Sequence, residues 1–210
     1  MSWRNNMEIT ELEKDNFLDL AHIEDNGSKT ARQTSENKPS RTGKNKRLDA
    51  DAYFMKIAAV VAERSTCQRH HIGALAVLNK RILATGYNGA PAGVQDCLEL
   101  GCIRNTMNIP SGERHEICRA VHAEQNVIIQ AAVHGVSIEG ATIYSTHTPC
   151  LLCLKMLANA KIKRFVSYQQ YDTKSYTGSL DVTLFSDLFT QTGIEKVTVP
   201  RPQGTIKFLD

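Results

Sequence analysis

The chain has 210 residues, a formal net charge of +3 and a sequence pI near 8.5. Hydrophobic residues make up 41% and charged residues 22%, the balance of an ordinary globular domain. Such a mild positive charge argues against binding along a nucleic-acid backbone but allows a small anionic substrate. No apolar run approaches the ~20 residues that cross a bilayer, and Met1–Thr10 lacks the apolar segment of a secretory signal. We therefore expect a soluble, cytoplasmic protein.

Residues 1–48 are predicted to be a flexible extension, followed by a single domain at 49–210. A few apolar residues in Glu8–Ile23 allow a short helix. The segment Asn26–Arg47 is rich in Ser, Thr, Asn and Lys and cannot bury enough apolar surface to offset its ordering entropy. The extension is a partner-binding or targeting tail, or it is dispensable. We favour the second interpretation.

Helical and strand patterns alternate from Asp51 onward. A helix over Asp51–Arg64 precedes two apolar runs, Ile72–Leu78 and Arg81–Tyr87, which a turn at Asn79 and Lys80 joins into a hairpin. Gly86–Gly93 is a loop, and Gln95–Arg119 shows no clean period. Helix and strand patterns then alternate through Val121–His134, Ala141–Ser145, Pro149–Ala160, Lys163–Tyr168, Leu180–Thr190 and Glu195–Val199. This order predicts an α/β fold, a three-layer α/β/α sandwich with a central mixed sheet of about five strands.

Two short clusters at the starts of predicted helices contain the residues of a metal site. His122 begins one helix, and Cys150 and Cys153 lie three residues apart on one side of the first turn of the other. The positive end of a helix favours thiolates. One imidazole and two thiolates leave the fourth position of a zinc ion open for water, as catalytic zinc sites require. Glu124 is not needed as a ligand and is placed to act as the general base.

Other interpretations of these residues fit less well. In a chain of this size without a secretory signal, six cysteines including a C-x-x-C favour metal chemistry over disulfides. A redox pair is disfavoured because Pro149 precedes the first cysteine and because His122 supplies an imidazole ligand. His122 alone would be a capping or core residue. His115-Glu116 begins like a zinc-protease helix, but Arg119 stands where the second histidine would be.

The order H-x-E and then P-C-x-x-C is the signature of zinc nucleobase deaminases. Over Asp51–Val199 the chain resembles the deoxycytidylate (dCMP) deaminases of the cytidine deaminase-like superfamily. The matching stretches are Arg64-Ser65-Thr66-Cys67, Ile72-Gly73-Ala74, Arg81 to Gly89, Pro91-Ala92-Gly93, His122-Ala123-Glu124-Gln125-Asn126 and Thr148-Pro149-Cys150. The phrase from Gly86 to Gly93 distinguishes this branch from tRNA adenosine deaminases and from free-nucleoside deaminases, which carry Cys at the position of His122.

The resemblance implies hydrolysis of dCMP to dUMP and ammonia in pyrimidine deoxynucleotide metabolism. Glu124 would move protons between water, N3 of the base and the leaving amino group. Asn88 would contact the deoxyribose, and the backbone near Thr146–Thr148 would line the base pocket, with Thr148 as a substrate contact. Candidate partners for the phosphate, which each could equally be a solvated surface side chain, are Arg69, Lys155 and the Tyr171 hydroxyl.

The resemblance also implies a second, structural zinc at the remaining cysteines, which are Cys67, Cys97, Cys102 and Cys118. His70, His71 or His115 could replace one cysteine, and free buried thiols are the alternative. Many members of the family are hexamers that respond to dCTP and dTTP. A homo-oligomer, nucleotide effectors and Mg²⁺ bound with a dCTP effector are therefore expected.

Two alternatives to dCMP deamination stay open. One is deamination of another cytosine substrate, namely dCTP, deoxycytidine or nucleic acid; an aromatic content of 6% leaves few stacking platforms for nucleic acid. The other is a zinc-stabilised accessory protein without catalysis. Glu124 argues against it, because a scaffold has no use for an unliganded carboxylate beside the metal.

Overall fold

The computed structural model describes residues 47–169 and 179–202, and for residues 169 and 179–183 it describes the backbone alone. Almost all of the predicted N-terminal extension, the predicted helix at Glu8–Ile23 and the candidate substrate contact Tyr171 lie outside the described residues. No helix within the described ranges is both long enough and apolar enough to span a bilayer.

The described residues contain the predicted helices and strands in the predicted order. Their bounds are α1 Ala50–Ala62, β1 Gly73–Leu78, β2 Arg81–Tyr87, α2 Cys97–Leu100, α3 Ile103–Thr106, a 3-10 helix at His115–Ile117, α4 Ala123–Val133, β3 Thr142–His147, α5 Leu151–Asn159, β4 Arg164–Gln169, α6 Ser179–Thr192 and β5 Glu195–Thr198. The three short helices between β2 and α4 were not predicted, because each is too short to show a hydrophobic period.

The strands form one mixed sheet in the order β2-β1-β3-β4-β5. Strand β1 is antiparallel to β2 and to β3, whereas β3, β4 and β5 run parallel. Asn79 and Lys80, with φ of 51° and 65°, make the tight turn between β1 and β2, as expected for a two-residue hairpin. The predicted mixed sheet of five strands is confirmed.

Alternate residues of the central strands face two apolar clusters. On one face Leu75, Tyr144 and Val166 pack against α1 through Phe54 and Met55. The opposite face packs against α4, α5 and α6 in a larger cluster that includes Ala74, Ala76, Val127, Ile143, Leu154, Leu157, Phe165 and Phe189. Period-2 alternation of apolar residues on both faces is what a sheet covered on both sides requires. The result is the predicted α/β/α sandwich.

Two glycines let helices approach the sheet closely. A Cβ at Gly73 would collide with the backbone of α1 at Ala58 and Ala62. A Cβ at Gly86 would collide with the carbonyl oxygen of Ala123 and lie 2.7 Å from the nitrogen of Val127. Gly86 therefore allows the first turn of α4 to rest directly on β2.

A partly buried ion pair joins α1 to the sheet. Arg164 Nη1 and Nη2 donate to the two carboxylate oxygens of Asp51 at 2.8 and 2.7 Å, and the Tyr144 hydroxyl donates to Asp51 Oδ1 at 2.7 Å. The hydrogen bond from Arg164 lowers the pKa of Asp51. Bidentate pairing of this kind is among the stronger polar interactions in proteins.

Candidate active site

The starts of α4 and α5 bring His122, Cys150 and Cys153 together. His122 and Cys150 each directly precede their helix, and Cys153 lies one turn into α5. Nδ1 of His122 lies 3.4 Å from the Sγ atom of each cysteine. The three predicted ligands therefore converge, and an imidazole with two thiols is a donor set that suits zinc.

The two thiols of this cluster differ in acidity. The hydrogen bond from the Cys153 thiol, and then the hydrogen bond and charge of His122, lower the pKa of Cys150 to about 4. The pKa of Cys153 is raised, because its thiol donates a hydrogen bond to the Cys150 thiolate and because burial disfavours a second charge. Burial tends to lower the pKa of His122, but the bond to Cys150 raises it overall.

Glu124 points into the same cluster and is almost completely buried, with 3% of its surface exposed. Its carboxylate lies within 4.8 Å of the donor atoms of His122 and Cys153, and the Ser145 hydroxyl lies 3.4 Å from its Oε1 atom. Burial, and then the negative charge of Cys150, raise the pKa of Glu124 to about 7. A carboxyl group with such a pKa can both accept and return a proton near neutral pH.

Contacts that the sequence did not reveal hold His122 in place. Gly89 and Val121 pair through two backbone hydrogen bonds of 3.2 and 2.9 Å, which join the loop after β2 to the residue before His122. The His122 amide donates to the side-chain oxygen of Gln125 at 2.9 Å. A glutamine three residues into the helix is a known capping signal and could have indicated this contact. The bridge at Gly89 has no local sequence signal.

Asn88 lies at the junction of the loops before β1 and after β2. Its side-chain oxygen accepts from the Ile72 amide at 2.8 Å and from the Ser65 hydroxyl at 2.6 Å. Its side-chain nitrogen donates to the His70 carbonyl at 2.8 Å. Asn88 is buried, and its three side-chain hydrogen bonds hold the two loops together. A contact between Asn88 and a sugar stays a prediction.

The other predicted substrate contacts lie in different settings. Thr148 is buried at the end of β3 next to Pro149. Arg69 lines a cavity beside His122, and its Nη1 atom donates to the Ile109 carbonyl at 2.8 Å. Lys155 is exposed on α5 and is not part of the cavity lining. Their roles in binding substrate stay predictions.

The four remaining cysteines line this cavity together. Cys67, Cys97, Cys102 and Cys118 share it with His70, Arg104 and His115, whereas His71 is not among the lining residues. All six cysteines of the chain are unpaired thiols. Burial, and then the neighbouring Cys67, Cys102 and Cys118, raise the pKa of Cys97 to about 11. We call this region the cysteine cavity.

Among the described residues, two groups of three candidate metal-donor atoms lie within 4.8 Å of one another. One group is His115, His122 and Cys150, and the other is His122, Glu124 and Cys153. The four sulfur atoms of the cysteine cavity are therefore spread more widely than the catalytic donors. The ring of His115 packs edge-on against His122, with 5.1 Å between centroids. His115 and His122 both line the cysteine cavity, so the cavity borders the group of His122, Glu124, Cys150 and Cys153, which we call the catalytic cluster for its proposed role.

Comparison with known proteins agrees with this geometry. The sequence model of the cytidine and deoxycytidylate deaminase zinc-binding region matches residues 48–169. A deoxycytidylate deaminase of Schizosaccharomyces pombe is 36% identical over 130 residues, which cover 62% of this chain but only 40% of that protein. ComE operon protein 2 of Bacillus subtilis is 36% identical over 148 residues, which cover 70% of each chain.

A solved structure shares the fold. The dCMP deaminase of cyanophage S-TIM5, in complex with dCMP and dUMP, superposes with a TM-score of 0.55 at 28% identity. The superposition covers 74% of this chain and 100% of the phage chain.

Proposed function

Because the chain belongs to the cytidine and deoxycytidylate deaminase family, we propose that it hydrolyses dCMP to dUMP and ammonia. The observation that carries the proposal is the buried Glu124 carboxyl group beside one imidazole and two thiols. The printed names of the fission-yeast relative and the phage structure supply the choice of dCMP as substrate. The reaction would belong to pyrimidine deoxynucleotide metabolism.

His122, Cys150 and Cys153 would hold a catalytic zinc ion. When bound, zinc supplies a Lewis acid that lowers the pKa of a coordinated water molecule to about 7. The hydrogen bonds from the Cys153 thiol and from His122 lower the pKa of Cys150 and so favour its thiolate form, which is the form that binds zinc. Since a zinc site of this kind needs three protein ligands, Glu124 is free for proton transfer.

Glu124 would act as the proton carrier of the reaction. Its pKa of about 7 allows the carboxylate to take one proton from the attacking water and pass it to N3. It would then take the second proton from the new hydroxyl group at C4 and pass it to the leaving amino group, which departs as ammonia. The Ser145 hydroxyl, 3.4 Å from Oε1, restricts the orientation of the carboxylate. Burial keeps bulk water from competing for the proton.

Substrate contacts remain proposals. Arg69 is the most favourable phosphate partner of the candidates, because it is partly buried at the cavity beside His122. Backbone groups from Thr146 to Thr148 would line the base pocket, and Asn88 would orient the sugar. Lys155 would reach a phosphate only from the exposed face of α5, and Tyr171 lies outside the described residues.

A second, structural zinc in the cysteine cavity is also proposed. Four unpaired cysteines that line one cavity support it, although the sulfurs must move closer together to share one ion. Six unpaired cysteines are typical of a reducing compartment such as the cytoplasm. A hexameric assembly, dCTP and dTTP effectors and Mg²⁺ bound with dCTP are proposed from the resemblance alone. A flexible extension at residues 1–48 is proposed from the polar composition of Asn26–Arg47.

The test is a substrate panel of dCMP, dCTP, deoxycytidine and CMP, followed by loss of the cytosine absorbance, with and without added dCTP as activator. We expect dCMP to be turned over and Glu124→Gln to reduce the rate by about 10²–10⁴-fold at unchanged zinc content. Glu139→Gln, at an exposed carboxyl, is the control and should match the wild type. Bound zinc without turnover of any of these nucleotides would contradict the proposal and favour nucleic acid as substrate or a non-catalytic accessory role.

A further inference from the structure

Arg104 is a buried cation with no anionic partner among the described residues. It lies on α3, two residues after Cys102, and lines the cysteine cavity with 5% of its surface exposed. Its Nη2 atom donates to the Pro110 carbonyl at 3.0 Å, whereas Nε has no hydrogen-bond partner in the part of the chain that the structure describes. None of the ion pairs found in residues 47–169 and 179–202 includes Arg104.

A buried guanidinium group needs a counter-charge. Arginine stays protonated at any pH at which proteins fold, so it cannot escape the cost of burial by losing a proton. An unpaired buried charge is strongly unfavourable. Among the described residues, no Asp or Glu lines the cavity, and the other titratable groups there are arginine, histidine and cysteine. The cysteines are therefore the groups of the lining that could supply negative charge.

A bound metal ion would give the cysteines that charge. A divalent metal deprotonates coordinating thiols outright. Four thiolates around one Zn²⁺ ion carry a net negative charge, as do three thiolates with one histidine.

We propose that Arg104 is the counter-cation of a zinc–thiolate centre formed by Cys67, Cys97, Cys102 and Cys118. Arg104 is a positioning residue in this proposal and does not bind zinc itself. The inference rests on the proposed second zinc. An anionic metal centre in the cavity would explain two observations on the described residues: Arg104 Nε has no hydrogen-bond partner, and no carboxylate lines the cavity beside it.

Arg104 also organises the chain around the cavity. Its backbone carbonyl accepts from the Ile109 amide at 2.8 Å, and its side chain holds the Pro110 carbonyl. Arg69, which also lines the cavity, donates to the Ile109 carbonyl. The two arginines thus fix the turn at residues 109–110. Water can solvate the charge of Arg69, which is partly exposed, whereas the buried charge of Arg104 needs a counter-charge.

The experiment measures zinc per chain in the purified protein and the rate at which zinc passes to a chelating dye. Cys118→Ser identifies the kinetic phase that belongs to the cysteine cavity. We expect two zinc ions per wild-type chain, and release from the cavity about 10–100-fold faster in Arg104→Gln, the usual cost of losing an outer-shell partner of a metal site. Arg104→Lys, which keeps the charge, should release zinc at close to the wild-type rate.

Arg114→Gln is the matched control. Arg114 lies in the same segment, but it is exposed and paired with Glu116, so zinc release should not change. If Arg104→Gln does not fold, Arg104→Lys decides: a rate near that of the wild type supports the proposal, and a rate faster by about tenfold contradicts it.

Other outcomes separate this inference from the proposals it rests on. One zinc per wild-type chain would overturn the second site and with it the role of Arg104, whereas the catalytic proposal is judged by dCMP turnover. Two zinc ions with unchanged release from Arg104→Gln would overturn the role of Arg104 alone. A raised KM for dCMP but not for deoxycytidine, at unchanged zinc release, would instead make Arg104 a phosphate contact.

Discussion

The catalytic cluster and the cysteine cavity are built from the same residue types in opposite ways. The donors of the catalytic cluster come from the first turns of α4 and α5, which pack on one face of the sheet. The cysteines of the cavity come from the loop before β1 and from the irregular segment between β2 and α4. Regular elements bring His122 Nδ1 to 3.4 Å from two sulfur atoms. Irregular chain leaves its sulfurs further apart.

The acidity of the thiols follows the same division. The pKa of Cys150 is lowered to about 4, because a neighbouring thiol and an imidazole donate to the thiolate. The pKa of Cys97 is raised to about 11, because burial and the neighbouring sulfur atoms disfavour its charged form. The surroundings of Cys150 therefore favour the thiolate form, which binds metal, whereas the surroundings of Cys97 favour the neutral thiol.

The largest expected effect comes from removing one cysteine from each region. Cys150→Ser should lose the catalytic zinc and dCMP turnover altogether, since His122 and Cys153 alone do not make a three-ligand site. Cys118→Ser should lose the other zinc and lower the melting temperature while keeping measurable turnover. Zinc content and initial rates of both variants test this. Equal loss of both zinc ions in the two variants would show that the regions are one coupled site.

Gly86→Ala tests whether the scaffold alone positions the catalytic cluster. The added methyl group would push α4 away from β2 near Ala123 and Val127, so we expect a loss of about 2–4 kcal/mol in the free energy of unfolding and weaker zinc binding at His122. Urea unfolding and zinc titration measure both. Gly93→Ala, where φ is 78° but open space surrounds the site, should cost only about 1 kcal/mol. Similar losses in the two variants would contradict the role given to Gly86.

Asp51→Asn should lower stability without touching either metal site. Loss of the bidentate pair with the partly exposed Arg164 should cost about 1–3 kcal/mol at pH 7, whereas Glu139→Gln, from an exposed pair, should cost at most about 0.5 kcal/mol. The zinc content of both variants should equal that of the wild type. Changed zinc content in Asp51→Asn would link this ion pair to the metal sites.

The same variant has a pH signature. The pKa of Asp51 is lower in the folded protein than in the unfolded chain, so its contribution is complete above the unfolded value of about 3.9 and disappears as the pH falls through the folded value. The stability difference between wild type and Asp51→Asn should therefore shrink below about pH 4. Urea unfolding from pH 7 to pH 3 measures this difference. A difference that stays constant would show that Arg164 does not stabilise the carboxylate.

Much of the fold and of the catalytic cluster could be predicted because the signals are local. His122 and Glu124 share one helical turn, as do Cys150 and Cys153. Each pair can be recognised from a few neighbouring residues, without knowledge of the rest of the chain. The strands were predictable from short apolar runs bounded by turns. The helices between β2 and α4 were not, since four residues are too few to show a period.

Sequence by itself determined the helix–strand order, the mixed sheet and the likeness of His122, Glu124, Cys150 and Cys153 to a zinc deaminase site. Tertiary structure alone decided that Asn88 holds two loops together, that Gly89 pairs with Val121 and that Lys155 lies apart from the cavity. It also decided that Arg104 is buried at a cavity lined by four cysteines and, within the described ranges, by no Asp or Glu. The physical reason is range: spacing within one helical turn is set by local geometry, whereas burial and charge partners depend on residues tens of positions away.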